Sequence, residues 1–246
     1  MNFEKHKFLP MLLIMLFALV ACEQNNDPVE EGSDFTFSLV NGSDTVSFVM
    51  KFINKKSSKG IKKNYMIAET ETTRELYYAV YGKKVKHKKR ANLPVSNVSC
   101  LQAENFISEL NKKVEAPYGM KFCLPTVDEW LYAADGGQRG FSLPFAGCSS
   151  RDQYSFYAWY DGNSDGHKHD VKTLRPNQLK LYDMNGNVWE WCYAGNPNAA
   201  PGTRRQLCGS AYNEKQIWRS DYLGNKPVDS YKSSAVGFRL CLKQID

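Results

Sequence analysis

Histidine is scarce in this 246-residue chain: four copies, His6, His87, His167 and His169. Seven cysteines are present, yet no C-x-x-C spacing occurs among them, so a zinc ribbon or a thioredoxin-type site has no support. No Ser–His–Asp set, glycine-rich phosphate loop or pair of catalytic carboxylates can be singled out. After the first twenty residues no apolar run approaches the ~20 residues needed to span a bilayer. The densest basic run has no interleaved aromatics, which argues against base stacking. Nucleic acid is therefore not the expected partner.

The N-terminus is better furnished. Lys5 and Lys7 precede an apolar run from Phe8 to Ala18 that only Pro10 interrupts. A charged start, a short apolar middle and a small residue before a cut form the grammar of a signal peptide. The small residue is Ala21, and Leu19-Val20-Ala21-Cys22 resembles the bacterial lipobox. The expectation is a lipoprotein signal peptide over 1–21, a lipid on Cys22 and a polar tether over 22–34. The membrane is then a partner through the lipid alone, and the location is the bacterial cell envelope, outer membrane rather than inner. The remaining 35–246 suffices for one domain with a sizeable core.

Charge is uneven. The chain carries +6, while residues 51–90 hold 13 Lys and Arg against three Glu, a net +10. Lys83 to Arg90 (KKVKHKKR) is the densest part. It reads as a solvated loop or strand edge, where lysines discourage edge pairing, with an anionic partner as the alternative. Besides Cys22, the cysteines are Cys100, Cys123, Cys148, Cys192, Cys208 and Cys241. Six allow 15 connectivities, and sequence does not choose among them.

Alternation predicts strands over Asp34–Leu39 and Thr45–Ile53, with Asn41-Gly42 as the turn, and a short strand over Tyr65–Ala68. Thr72–Tyr81 has helical spacing behind a capping threonine. A second helix follows Ser99, with Gln102 three residues on and Ala103, Phe106, Ile107 and Leu110 on one face. A third follows Thr126, with Glu129 at the capping-box position and Trp130 and Ala133 inward. From Gly136 onward, Gly, Asn, Asp, Ser and aromatics predict long loops around short strands.

Four segments belong together: Phe122–Gly137 (FCLPTVDEWLYAADGG), Tyr157–Trp191 (ending LYDMNGNVWEW), Cys208–Tyr212 (CGSAY) and Gly237-Phe238-Arg239. Their order resembles the formylglycine-generating-enzyme, or sulfatase-modifying-factor, family. Ala68–Thr73 (AETETT) and Leu93–Leu110 (LPVSNVSCLQAENFISEL) resemble that family's earlier segments. The resemblance runs from about Tyr65 to the C-terminus. It implies an α+β, C-type-lectin-like fold of the formylglycine-generating-enzyme type, loop-rich, with a small twisted sheet and a few helices. It also places Asn187 and Glu190 at positions that in relatives contribute to a calcium site, Ca²⁺ being an oxygen-liganded ion. A purely structural role for Asn187, Trp189 and Trp191 is the alternative. Arg239 is expected to bridge buried carboxylates or carbonyls.

The resemblance stops at the chemistry. The family's founding enzyme works through two cysteines on copper, shortly after its GGS motif; soft Cu(I) needs those thiolates. Here Gly209–Arg219 (GSAYNEKQIWR) has none, and none occurs from Gly209 through Leu240. Copper is not expected. Cys208 and Cys241 flank the gap and are expected as a structural disulfide or as buried thiols. A sister group with a three-histidine iron site needs an added helical domain. His167 and His169 could pair on a strand but read better as an exposed turn. What remains is a stretch rich in Tyr212, Asn213, Trp218, Arg219, Asp221, Tyr222, Asn225, Asp229 and Tyr231, a binding-surface composition. It also resembles the variable C-terminal region of lectin-fold lipoproteins diversified by retroelements.

The reading is a non-catalytic binding lipoprotein whose ligand is a protein or glycan. The alternatives are an oxidoreductase with a divergent metal site and a structural envelope component.

Overall fold

The computed structural model describes residues 32–54, 61, 63–137, 143–194 and 205–244. Cys22, the leader and most of the tether lie outside them. Among the described residues no helix is long and apolar enough to cross a membrane.

Strands β1 (Phe35–Asn41) and β2 (Asp44–Ile53) form the expected hairpin, closed by Gly42 at φ 67°. β3 (Tyr65–Ala68) pairs with β2 and with the C-terminal strand β8 (Cys241–Lys243), which pairs in turn with β4 (Lys121–Cys123). The five-stranded order is β1-β2-β3-β8-β4, antiparallel throughout. Its centre is covered on both faces. Met66, Ala68 and Leu242 point into one cluster, whereas Tyr65, Ile67 and Cys241 point into another. That is the period-2 geometry of a strand with no wet side.

Helices supply the covers. α1 (Arg74–Val80) starts at Thr73, whose hydroxyl accepts the Leu76 N–H. α2 (Cys100–Lys113) starts with a complete capping box between Ser99 and Gln102. Both lie on the first cluster, through Leu76, Ala79 and Val80 and through Ala103, Phe106 and Leu110. α3 (Val127–Ala134) carries the second capping box, Thr126 with Glu129, and sends Trp130, Ala133 and Ala134 into the second cluster. Each box satisfies two end N–H groups that would otherwise lack partners.

A smaller sheet holds the loop-rich half. β5 (Trp189–Cys192) lies between β6 (Gln206–Cys208), antiparallel, and β7 (Val236–Gly237), parallel. As expected, the described residues from Leu143 to Val188 are loop, apart from a 3-10 segment at Arg151–Phe156. The basic run fits the solvated reading: residues 83–90 are exposed save for half-buried Val85, and Lys84 pairs with Asp44 at 2.7 Å.

Candidate functional site

The WEW strand and the GFR run meet in a buried ion cluster. Glu190 of β5 is the register partner of Gly237, which brings Arg239 onto its carboxylate. Arg239 Nε donates to both Glu190 oxygens at 3.1 and 3.0 Å, and Nη2 donates to Oε1 at 2.8 Å. Its remaining N–H groups reach the Ala68 and Tyr182 carbonyls at 3.0 and 2.8 Å. Trp130 Nε1 donates to Glu190 Oε2 at 2.6 Å. One guanidinium thus joins both sheets and a loop.

Two further carboxyls complete the cluster. Glu71 accepts the Val188 N–H at 3.2 Å and an Asn187 Nδ2 hydrogen at 3.0 Å. Asp183 accepts the Lys172 N–H at 2.9 Å. Burial pushes Glu71 well above the usual carboxylate range, and nearby Asp183 and Glu190 push it further. Burial pushes Asp183 up to about 6. These are the responses of acids crowded in a low-dielectric interior.

The calcium expectation at Asn187 and Glu190 does not fit this geometry. Asn187 Oδ1 already accepts the His169 N–H at 3.1 Å. Both Glu190 oxygens face donors, so a cation there would stand against a guanidinium. Hydrogen-bond donors occupy the oxygens that Ca²⁺ would require. Asn187, at φ 56°, instead holds the turn that follows Gly186. The two histidines have separate ring partners, the Asp165 and Ser164 carbonyls. His169 stacks on Trp159 at 3.7 Å, and exposed His167 closes a turn onto Ser164. Among the described residues no three His, Cys, Asp or Glu side chains gather as a metal site.

The CGSAY run is pinned to that same turn. Ser210 Oγ accepts the Gly186 N–H at 2.7 Å, and the Tyr212 N–H donates to the Asn187 carbonyl at 3.0 Å. The chain then crosses the loop face. Glu214 accepts from two indoles, Trp189 Nε1 at 3.0 Å and Trp218 Nε1 at 3.4 Å. Trp218 stacks on Tyr222 at 3.8 Å and 10°. These two rings line two clefts. The larger, about 980 Å³, has Arg151, Tyr160, Lys215, Ile217, Arg219 and Asp221 on its walls. The smaller, about 320 Å³, has Asn213, Glu214, Asn225 and Tyr231.

Most of the expected binding residues are therefore brought together: Trp218 and Tyr222 on both clefts, Arg219 and Asp221 on one, Asn213, Asn225 and Tyr231 on the other. Two are not. Asp229 is 2% exposed, with its carbonyl turned to the Leu101 N–H, so it belongs to the interior. Tyr212 lines neither cleft; it packs on the core with its hydroxyl toward Ser234. Glu214, Arg151 and Tyr160 escaped the sequence reading, because nothing local marks a residue that works across a loop.

Of the two readings of Cys208 and Cys241, a disulfide or buried thiols, the structure has buried thiols. Cys208 lies in the small sheet beside Cys192, and Cys241 lies in the large one opposite Cys123. All six cysteines are free thiols, and none lines either cleft.

The profile of the sulfatase-modifying factor enzyme 1-like domain matches residues 37–244. The chain belongs to that family. A formylglycine-generating enzyme of Streptomyces coelicolor is 31% identical over 184 residues, covering 64% of this chain and 54% of the enzyme. The inactive C-alpha-formylglycine-generating enzyme 2 of Bos taurus is 27% identical over 167 residues, covering 62% and 51%. The chain spans about half or less of the curated relatives it matches. Among solved structures, Treponema denticola variable protein 1 superposes with a TM-score of 0.67 at 25% identity, over 84% of this chain and 98% of that one. The fold is thus the C-type-lectin-like type of the sulfatase-modifying factor family, with two small curled sheets and long loops.

Proposed function

We propose that this chain is a ligand-binding member of the sulfatase-modifying factor family, not an oxidase. Its ligand is a protein or glycan that meets the Trp218–Tyr222 face. One observation carries the reading: an aromatic pair stands at two clefts, on the stretch where the family's copper cysteines would be and where this chain has none. Aromatic platforms rimmed by Arg, Lys, Asn and Asp give large contact area at small entropic cost. The Bos taurus relative carries the word inactive in its name, a precedent for this domain without the chemistry. The Treponema denticola structure is called a variable protein, which suits a loop face that meets ligands.

The domain is held at the cell envelope by a lipid on Cys22. The Lys5–Cys22 pattern supports this reading.

Two measurements on one preparation test the proposal. The Cys22→Ser chain, purified without chelator, is analysed for metals and incubated with a sulfatase-derived cysteine peptide and copper. Less than stoichiometric copper or iron and an unchanged peptide are expected. Oxidation of the peptide cysteine with stoichiometric metal would sink the binding reading. Fractionation of cells tests the anchor: the native chain is expected with membranes and Cys22→Ser in the soluble extract.

A further inference from the structure

Four of the six cysteines stand as two pairs of neighbours. Cys123 in β4 and Cys241 in β8 are register partners on antiparallel strands. Residues so opposed have Cα atoms about 4.5–5.5 Å apart, within the roughly 4.4–6.8 Å that a disulfide spans. Their side chains leave the sheet on the same face, and the Cys241 thiol lies within hydrogen-bonding reach of Cys123. Cys192 and Cys208 are diagonal neighbours across β5 and β6, opposite Gln206 and Glu190, with their thiols in reach of each other.

Access separates the pairs. Cys192, Cys208 and Cys241 are fully buried, whereas Cys123 is part-exposed. An oxidant therefore reaches Cys123 first. Lys243, two residues beyond Cys241, is held by both Glu129 oxygens at 2.7 and 2.8 Å. Its ammonium acts on both sulfurs of the pair. That cation favours the thiolate of Cys241, the sulfur that closes the bond, against the burial that opposes it.

We propose that Cys123 and Cys241 are an oxidation site, where a small disulfide oxidant converts two thiols into one intrachain disulfide joining β8 to β4. The Cys123 thiolate attacks one sulfur of the oxidant, forming a mixed disulfide and expelling a thiolate. The Cys241 sulfur then attacks Cys123 Sγ, forms the S–S bond and expels the second thiolate. The two protons of the cysteines end on the two expelled thiols, so two protein S–H groups are oxidised and one S–S bond of the oxidant is reduced. Burial pushes the Cys241 thiol well above its ordinary range, as does neighbouring Cys123, which places Cys241 second in the sequence. The link closes the strand that follows Arg239, tying the C-terminus to β4 just ahead of α3.

The test uses the Cys22→Ser chain, purified reduced and then exposed to oxidised glutathione. Intact mass and peptide mapping read the product, and thermal unfolding reads its effect. A loss of about 2 Da is expected, in a single cross-linked peptide pair holding Cys123 and Cys241. The melting temperature should rise by about 10 °C, the order that one disulfide gives a domain of this size. Cys123→Ser should melt with the reduced chain and show neither the cross-link nor the rise. Three results would overturn the proposal: Cys241 joined to Cys208, a lasting glutathione adduct on Cys123 with Cys241 still free, or no thiol consumed in the folded chain.

Discussion

Arg239 grips Glu190 by three hydrogen bonds of 2.8 to 3.1 Å, with at most 1% of either side chain exposed. A pair so placed is costly to break and contributes little net stability over an apolar pair of the same shape. Arg239→Met should cost about 3–5 kcal/mol, because Glu190 is left charged and unpaired. Arg239→Lys should fare little better, since one ammonium cannot also reach the Ala68 and Tyr182 carbonyls. The double variant Arg239→Met with Glu190→Leu should recover part of the loss. Urea unfolding of the three variants checks this order.

Asp183 gives a pH test. Its carboxyl is raised to about 6 from 3.8. A raised carboxyl holds its proton longer folded than unfolded. Its contribution is therefore most favourable below the unfolded value and is lost as pH rises through about 6. Asp183→Asn keeps an oxygen for the Lys172 N–H and puts an amide where Oδ1 has no hydrogen-bond partner. Asparagine also tolerates the φ of 56°. The variant should exceed the native chain by about 1–3 kcal/mol at pH 7.5 and match it below pH ~4. Urea midpoints at the two pH values decide.

Gly186 is fixed by contact as well as by φ. At +81° a Cβ there would lie 2.2 Å from the Trp159 carbonyl oxygen. Gly186→Ala should cost about 2–3 kcal/mol and loosen the Ser210 and Asn187 contacts beneath the Trp218–Tyr222 face. Thermal unfolding with tryptophan fluorescence measures both effects.

Glu214 ties the face together through two indole N–H groups. Glu214→Ala removes both acceptors beside the clefts. A stability loss of only about 1 kcal/mol is expected, because solvent can reach this half-buried site. The tryptophan emission should shift to the red, and any ligand of the smaller cleft should bind more weakly. Calorimetry and emission spectra check the pair of outcomes.

Helix entries were readable in the sequence because a cap is a local device: Ser99 with Gln102 and Thr126 with Glu129 span three residues each. The hairpin at Asn41-Gly42 was readable for the same reason. The role of Arg239 was visible in outline, since a buried arginine must find acceptors, though not which ones. The partner of Glu190 was not readable, because a carboxylate looks the same in sequence whether it meets a cation or a guanidinium, and Arg239 lies 49 residues away. Composition marked the proposed binding stretch but could not separate Trp218, at the clefts, from buried Asp229. The cysteine partners depend on strand register between distant segments, which no local pattern carries.

The central claim is that the Trp218–Tyr222 face binds a ligand. The most direct measurement is a glycan and peptide array probed with the native domain and with the double variant Trp218→Ala, Tyr222→Ala. At least one ligand should bind the native domain and lose tenfold or more in the double variant, a loss of about 1.4 kcal/mol or greater, while both proteins keep the same circular dichroism. Equal binding by both proteins would contradict the claim and move the site elsewhere on the molecule.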